Sequence, residues 1–221
     1  LALTLFLLVG CTTGQPGKTM KTNKGVGFVN SGDFAKSLMD ADAAGDYVGY
    51  NTLYDQSKDM PEIIRVGYEY KMDSQPLVNI NFFDASSGNL VSGYDRNVFE
   101  KNVINIVTKY KPDYIGIGNE INRYNGDIVE FLNTYNYLYT QIKGISPKTK
   151  VFTVIQYESF KDHPDLLGGF LSRMDAIGVT TYPEIAGYSD PNQIPVDYYN
   201  LLATYGRPIL FTEVGWSSKT S

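Results

Sequence analysis

The sequence is short of the residues on which most specialised chemistry relies. Among 221 residues there is one cysteine and one histidine. That excludes a Cys/His zinc cluster, a disulfide framework and a CxxC redox pair, each of which needs several such side chains. Positive charge is scarce too, with 19 Lys and Arg against 24 Asp and Glu, a net charge of −5 and no basic run. Such a chain lacks the phosphate-neutralising charge that nucleic-acid binding rests on. No GxGxxG or P-loop follows the first strand-like segment, so the usual nucleotide-binding motifs are missing. What is present is a globular composition, 43% hydrophobic and 19% charged, with 18 tyrosines. Wholesale disorder is excluded by that balance. Chemistry is left to carboxylates, hydroxyls and aromatic rings, and nothing calls for a cofactor, a metal or an obligate protein partner.

Residues 1–9 read LALTLFLLV, an apolar run without charge, followed by Gly10 and Cys11. The run is too short to cross a bilayer as a helix and suits the apolar core of a secretory signal. Leu8-Val9-Gly10-Cys11 resembles a prokaryotic lipoprotein signal, in which cleavage before the cysteine exposes it for lipidation. The resemblance implies residues 1–11 as a signal shortened at its N-terminal end, with Cys11 as the lipidation site. Residues 12–24, rich in Thr, Gly, Gln, Pro, Lys and Asn, then form a polar tether. The expected location is the cell envelope or extracellular face, anchored to the membrane through lipid alone, with ordinary secretion as the alternative.

From residue 25 onward, short β-branched or aromatic runs alternate with helical patterns. The strand-like runs are 25–29, 46–50, 77–82, 114–119, 151–156, 176–181 and 208–212. Over 98–110 the apolar Phe99, Val103, Ile106, Val107 and Tyr110 fall on one helical face, and 127–143 shows the same period. Lys-Pro at 111–112, Ser-Pro at 146–147 and Arg-Pro at 207–208 punctuate the change from helix to strand. This rhythm predicts parallel strands joined by right-handed crossovers. Residues 25–221 fall short of the ~250 of a typical (β/α)₈ barrel. The expectation is an α/β TIM barrel truncated after its seventh strand, a catalytic domain over 25–221 whose eighth unit is missing.

Two of the runs lead into a carboxylate. The fourth reads Tyr-Ile-Gly-Ile-Gly-Asn119-Glu120 and the seventh Pro-Ile-Leu-Phe-Thr-Glu213. In a parallel barrel every strand opens on the same face at its C-terminal end, so both glutamates are expected at one mouth. A carboxyl pair suits glycosidic bond cleavage, where one group donates a proton and the other attacks or stabilises the sugar cation. Gly116 and Gly118 are expected to leave room inside the barrel.

Gly118-Asn119-Glu120-Ile121 and Phe211-Thr212-Glu213-Val214-Gly215-Trp216 resemble the fourth- and seventh-strand signatures of the clan A retaining glycoside hydrolases. The resemblance implies Glu120 as general acid/base, Glu213 as nucleophile and Asn119 as a hydrogen-bond partner of the sugar 2-hydroxyl. Strict alternation would place Asn119 and Glu120 on opposite sides of their strand, so Asn119's role rests on the resemblance. Tyr182, in Thr-Thr-Tyr-Pro after the sixth run, matches an aromatic position set against the nucleophile. Trp216 is a candidate sugar-stacking wall, and Gln156 a candidate substrate contact after the fifth run. Tyr157, Phe83 and Asp84 are weaker subsite candidates, and His163 reads as a loop residue. Within the clan, Gly-Asn-Glu-Ile is similar to the endo-β-1,4-galactanases of family 53, and Glu-Val-Gly-Trp-Ser-Ser to the β-1,3-glucanases of family 17.

One departure stands out. Many clan members carry an Arg near the end of strand two, where this chain has Tyr50-Asn51-Thr52 and its next Arg is Arg65. The functional expectation is a retaining glycosidase cleaving β-linked polysaccharide or oligosaccharide by double displacement. The alternatives are a non-catalytic carbohydrate-binding surface lipoprotein on a glycosidase-like barrel, and an open-sheet α/β protein whose glutamates are incidental.

Overall fold

The computed structural model describes residues 5–9, 23–27, 39–40, 42–43, 46–55, 62–69 and 75–216. Seven strands run parallel in chain order. They are β2 (Asn23–Gly27), β3 (Tyr47–Leu53), β4 (Gln75–Asn81), β5 (Tyr114–Ile117), β6 (Lys150–Gln156), β7 (Ala176–Thr181) and β8 (Ile209–Val214). All seven expected strands are therefore present, and the open-sheet alternative falls because the sheet closes on itself.

Closure comes from an unexpected segment. Leu5–Val9, read from sequence as a signal core apart from the fold, forms β1 and pairs antiparallel with both β2 and β8. The charge-free apolar run that fits a signal core also fits a barrel strand. The backbone donors and acceptors on the edges of β2 and β8 give it partners. Cys11 lies outside the described residues, as does most of the 12–24 tether, whose last two positions fall within β2.

Among the described residues the longer helical runs are α1 (Glu62–Glu69), α2 (Arg96–Tyr110) and α3 (Ile128–Ile145), with the four-residue α4 (Tyr157–Phe160) and α5 (Asn200–Ala203) after them. Asp95 caps α2 by accepting from the N–H groups of Asn97 and Val98, and Asp127 caps α3 through those of Val129 and Glu130. Beyond β6 the connections are short helices and 3₁₀ turns, so the regular strand–helix alternation is carried by the first half.

Alternation along the strands sorts two layers. Val78, Ile80, Ile115, Ile117, Val151, Ile155, Ile177 and Val179 pack outward against the helices. Leu77, Phe152, Val154, Ala176 and Leu210 fill the barrel. Phe152 occupies space left by Gly116 and Gly178, where an added Cβ would lie 2.6 and 3.0 Å from its ring. Gly116 thus makes room for a core ring below the site, not for a ligand.

Candidate active site

Both glutamates line one cavity of about 330 Å³ at the C-terminal mouth, together with Ala85, Ser86, Asn119, Arg123, Gln156, Tyr182 and Ile185. Each reaches it through a break in regular strand geometry. At the first, β5 ends at Ile117, and Gly118 (φ +84°) and Glu120 (φ 56°) both take left-handed backbone. Glycine adopts that conformation freely, whereas for a glutamate it costs about 1–3 kcal/mol. The turn breaks the strict alternation, so Asn119 and Glu120 line the same cavity although they are neighbours in sequence. A side chain at 118 would meet Ile121 at 2.8 Å and Phe131, on helix α3, at 3.1 Å, which fixes glycine there.

Glu120 is only 5% exposed. Its Oε1 accepts from the Thr180 hydroxyl at 2.7 Å, and its Oε2 from Arg123 Nη1 at 3.2 Å, a contact that is also an ion pair. Arg123 stands three residues on, in the 3₁₀ turn Ile121–Arg123.

At the second break, the β7–β8 register shifts between Val179 and Thr180, so that Phe211 pairs with Val179 but Glu213 with Thr180. Thr212 is the extra residue of a β-bulge, and its hydroxyl donates to the Val179 carbonyl at 3.2 Å. Leu210 packs inside the barrel and Phe211 outside. Plain alternation would return Glu213 to the outside; the bulge turns it into the mouth.

The Tyr182 hydroxyl donates to Glu213 Oε1. Burial raises the Glu213 carboxyl above its ordinary range, the Tyr182 hydrogen bond pulls it back, and the Glu120 charge raises it again. Tyr182 is itself pushed well up, first by burial and then by its bond to Glu213 and the charges of Glu213 and Glu120. Its ring lies against the main chain after β8, where a Cβ on Gly215 would come within 2.3 Å of it. The Gly215 N–H donates to Thr181 O at 3.0 Å. The glycine in Glu213-Val-Gly-Trp is therefore a requirement of close approach to Tyr182.

Where the strand-two Arg was sought, asparagines stand. Asn79 Nδ2 donates to Asn119 Oδ1 at 3.0 Å and to Asn51 Oδ1 at 3.3 Å, while the Asn119 N–H donates to Asn81 Oδ1 at 3.1 Å. Arg65 lies on α1, paired with Glu69.

The remaining candidates divide. Gln156 lines the cavity, but its amide is engaged locally, donating to Glu158 Oε2 at 2.5 Å and accepting from the Ser159 N–H at 2.9 Å. Its side-chain oxygen caps α4. Trp216 is 36% exposed and lines neither this cavity nor the one adjoining it. Phe83 and Tyr157 are core residues, Asp84 closes a turn onto the Ser86 N–H at 2.7 Å, and His163 is an exposed loop residue. Three residues that sequence reasoning passed over matter here: Thr180, Arg123 and Glu158. Only their closeness to the glutamate motifs or the strand ends hinted at them.

A second cavity of about 490 Å³ shares Ala85, Ser86, Arg123, Gln156 and Ile185 with the first and continues over Asn122, Asn125 and Ser159. Among the described residues no group of His, Cys, Asp and Glu is arranged to hold a metal ion, and no helix is long and apolar enough to cross a membrane.

No protein-family model and no curated protein matches the chain. Solved structures do. The GH53 catalytic domain of Ignisphaera aggregans aligns with 80% of this chain and 59% of its own, at 16% identity and a TM-score of 0.51. A Bacteroides uniformis β-glucuronidase 2 aligns with 79% of this chain at 13% identity and a TM-score of 0.50. This chain spans about a fifth of that enzyme's length, 21%. At such identities the likeness is one of fold, an α/β parallel-strand barrel of the kind that carries glycosidases.

Proposed function

We propose that the chain is a retaining glycoside hydrolase acting on β-linked polysaccharide or oligosaccharide. The observation that carries this reading is the meeting of Glu120 and Glu213 at one cavity, each held by its own hydroxyl donor. In the first step the Glu213 carboxylate attacks the anomeric carbon while Glu120 gives its proton to the departing glycosidic oxygen. In the second, Glu120 takes a proton from water, and the water oxygen displaces Glu213 from the sugar. Asn119, whose Oδ1 already accepts from Asn79, retains its Nδ2 donors for a sugar hydroxyl. Continuity of the first cavity with the second supports a substrate of several sugar units and thus endo action. Lipidation at Cys11 would hold the enzyme at the envelope, and the cleavage before Cys11 that it requires would take Leu5–Val9 out of the barrel and leave the edges of β2 and β8 unpaired; Cys11→Ser should abolish incorporation of labelled lipid.

The test is release of reducing ends from a panel of β-linked oligosaccharides. Glu120→Gln should lower turnover roughly 10²–10⁴-fold. An unchanged rate removes Glu120 from the mechanism, and ligand retention without release by the unmodified chain favours the carbohydrate-binding alternative.

A further inference from the structure

Glu158 is a carboxylate that the two-step reaction does not use, yet it is buried at 8% exposure beside the site. Its two oxygens accept four hydrogen bonds. Oε1 takes the Thr181 hydroxyl at 2.6 Å and the Tyr198 hydroxyl at 3.1 Å. Oε2 takes Gln156 Nε2 at 2.5 Å and the Tyr182 backbone N–H at 2.9 Å. A buried carboxylate persists only when paired or fully hydrogen-bonded, and here neutral donors do the holding. They come from three parts of the mouth: the β6–α4 junction, the end of β7, and Tyr198 ahead of α5. One of them is the main chain of Tyr182, whose ring rests on Gly215 and whose hydroxyl meets Glu213.

We infer that Glu158 is a positioning residue for the reaction, fixing the Tyr182 main chain so that the Tyr182 hydroxyl meets Glu213. The inference rests on the reading of Glu213 as nucleophile. Misplacement of a reacting group by about 1 Å is enough to lower rates about 10²-fold, so a lone tether on the Tyr182 N–H has leverage. The ionisable groups around this arrangement are few. Tyr198, Tyr157 and Tyr199 feel the Glu158 charge, and the Lys161 ammonium lies 4.5 Å from the Tyr198 ring centre and 5.5 Å from that of Tyr157. Glu213 faces Tyr182 and Glu120, and Arg123 acts on Tyr182.

The test is the titration of the Glu213 carboxyl, followed by ¹³C NMR in the full chain. It needs no substrate, so a failure of the glycosidase reading leaves it intact. Tyr182→Phe removes a donor to the ionised carboxylate and should raise the midpoint by about one unit. Glu158→Gln should raise it by about half a unit, and Tyr198→Phe, which removes one donor to Glu158, by less. Combined with Tyr182→Phe, Glu158→Gln should add nothing, the non-additivity of residues acting through one contact. On substrate, Glu158→Gln should lower kcat with little change in KM, and the acidic limb should move with the NMR midpoint. A Glu213 midpoint that stays put in folded Glu158→Gln overturns the inference. If that variant does not fold, an unmoved midpoint in Tyr198→Phe overturns it equally.

Discussion

The ends of β5 and β8 solve one geometric problem in two ways. A strand alternates its side chains, so a mouth built from plain strand ends offers one side chain of every two. At β5 the chain leaves the sheet through two left-handed residues, Gly118 and Glu120, and Asn119 is brought beside Glu120. At β8 the strand stays in register with β7 beyond the site but takes in an extra residue, Thr212, which turns Glu213 inward. The surroundings differ as well. Both Glu120 oxygens are occupied, one by Thr180 and one by the Arg123 guanidinium. Glu213 has the Tyr182 hydroxyl and a carboxyl raised mainly by burial. Two carboxylates of one cavity thus stand in unlike environments.

The sharpest way to separate the two roles is by leaving group. Glu120→Gln should lose roughly 10²–10⁴-fold on an oligosaccharide, where the departing oxygen needs a proton. On a nitrophenyl glycoside, whose phenolate leaves unaided, the loss in kcat/KM should shrink to about 10-fold or less, while kcat stays low because the second step still lacks its base. Glu213→Gln should be inactive on both. Steady-state rates on the paired substrates check this, and equal losses for both variants on both substrates would erase the distinction.

A smaller effect is expected at the contact particular to β8. Tyr182→Phe should lower kcat/KM about 10-fold, equivalent to about 1.4 kcal/mol of transition-state stabilisation. It should also move the acidic limb to higher pH, because the ionised Glu213 loses its donor. Gly215→Ala should match or exceed that loss, since its methyl would enter the Tyr182 ring. Rates across pH for both variants test the point.

The smallest effect concerns stability. A carboxyl raised by folding contributes fully below its unfolded pKa and loses that contribution as pH rises through the folded value. Glu213→Gln should therefore raise Tm at neutral pH. The gain should vanish at pH values below the ordinary carboxylate range, where Glu213 is protonated. Thermal melts at both pH values measure it.

Much of this arrangement is legible in the sequence because it is periodic or sits in a compact motif. Seven strands announce themselves by apolar runs set off by Pro and Gly, and the glutamates by Gly-Asn-Glu and Thr-Glu-Val-Gly-Trp. What is not legible is local irregularity. Nothing in Phe211-Thr212-Glu213 marks a bulge, because the register shift is decided by pairing with β7. Nor does Asn119-Glu120 reveal that a non-glycine will take φ 56°, although Gly118 hints at a turn. Glu158 is passed over, since three of its four donors, Thr181, Tyr182 and Tyr198, meet it only in the fold. Residues 5–9 carry two readings for the converse reason: an apolar run without charge suits a signal core and a barrel strand alike.

The most direct measurement is the anomeric configuration of the first product, followed by ¹H NMR during hydrolysis of a β-linked oligosaccharide by the full chain. Glu213 as nucleophile with Glu120 as acid/base requires carboxyls about 5–5.5 Å apart and a first-formed β-anomer that mutarotates later. A first-formed α-anomer would mean inversion, with water in place of Glu213 as the attacking group, and would contradict the account.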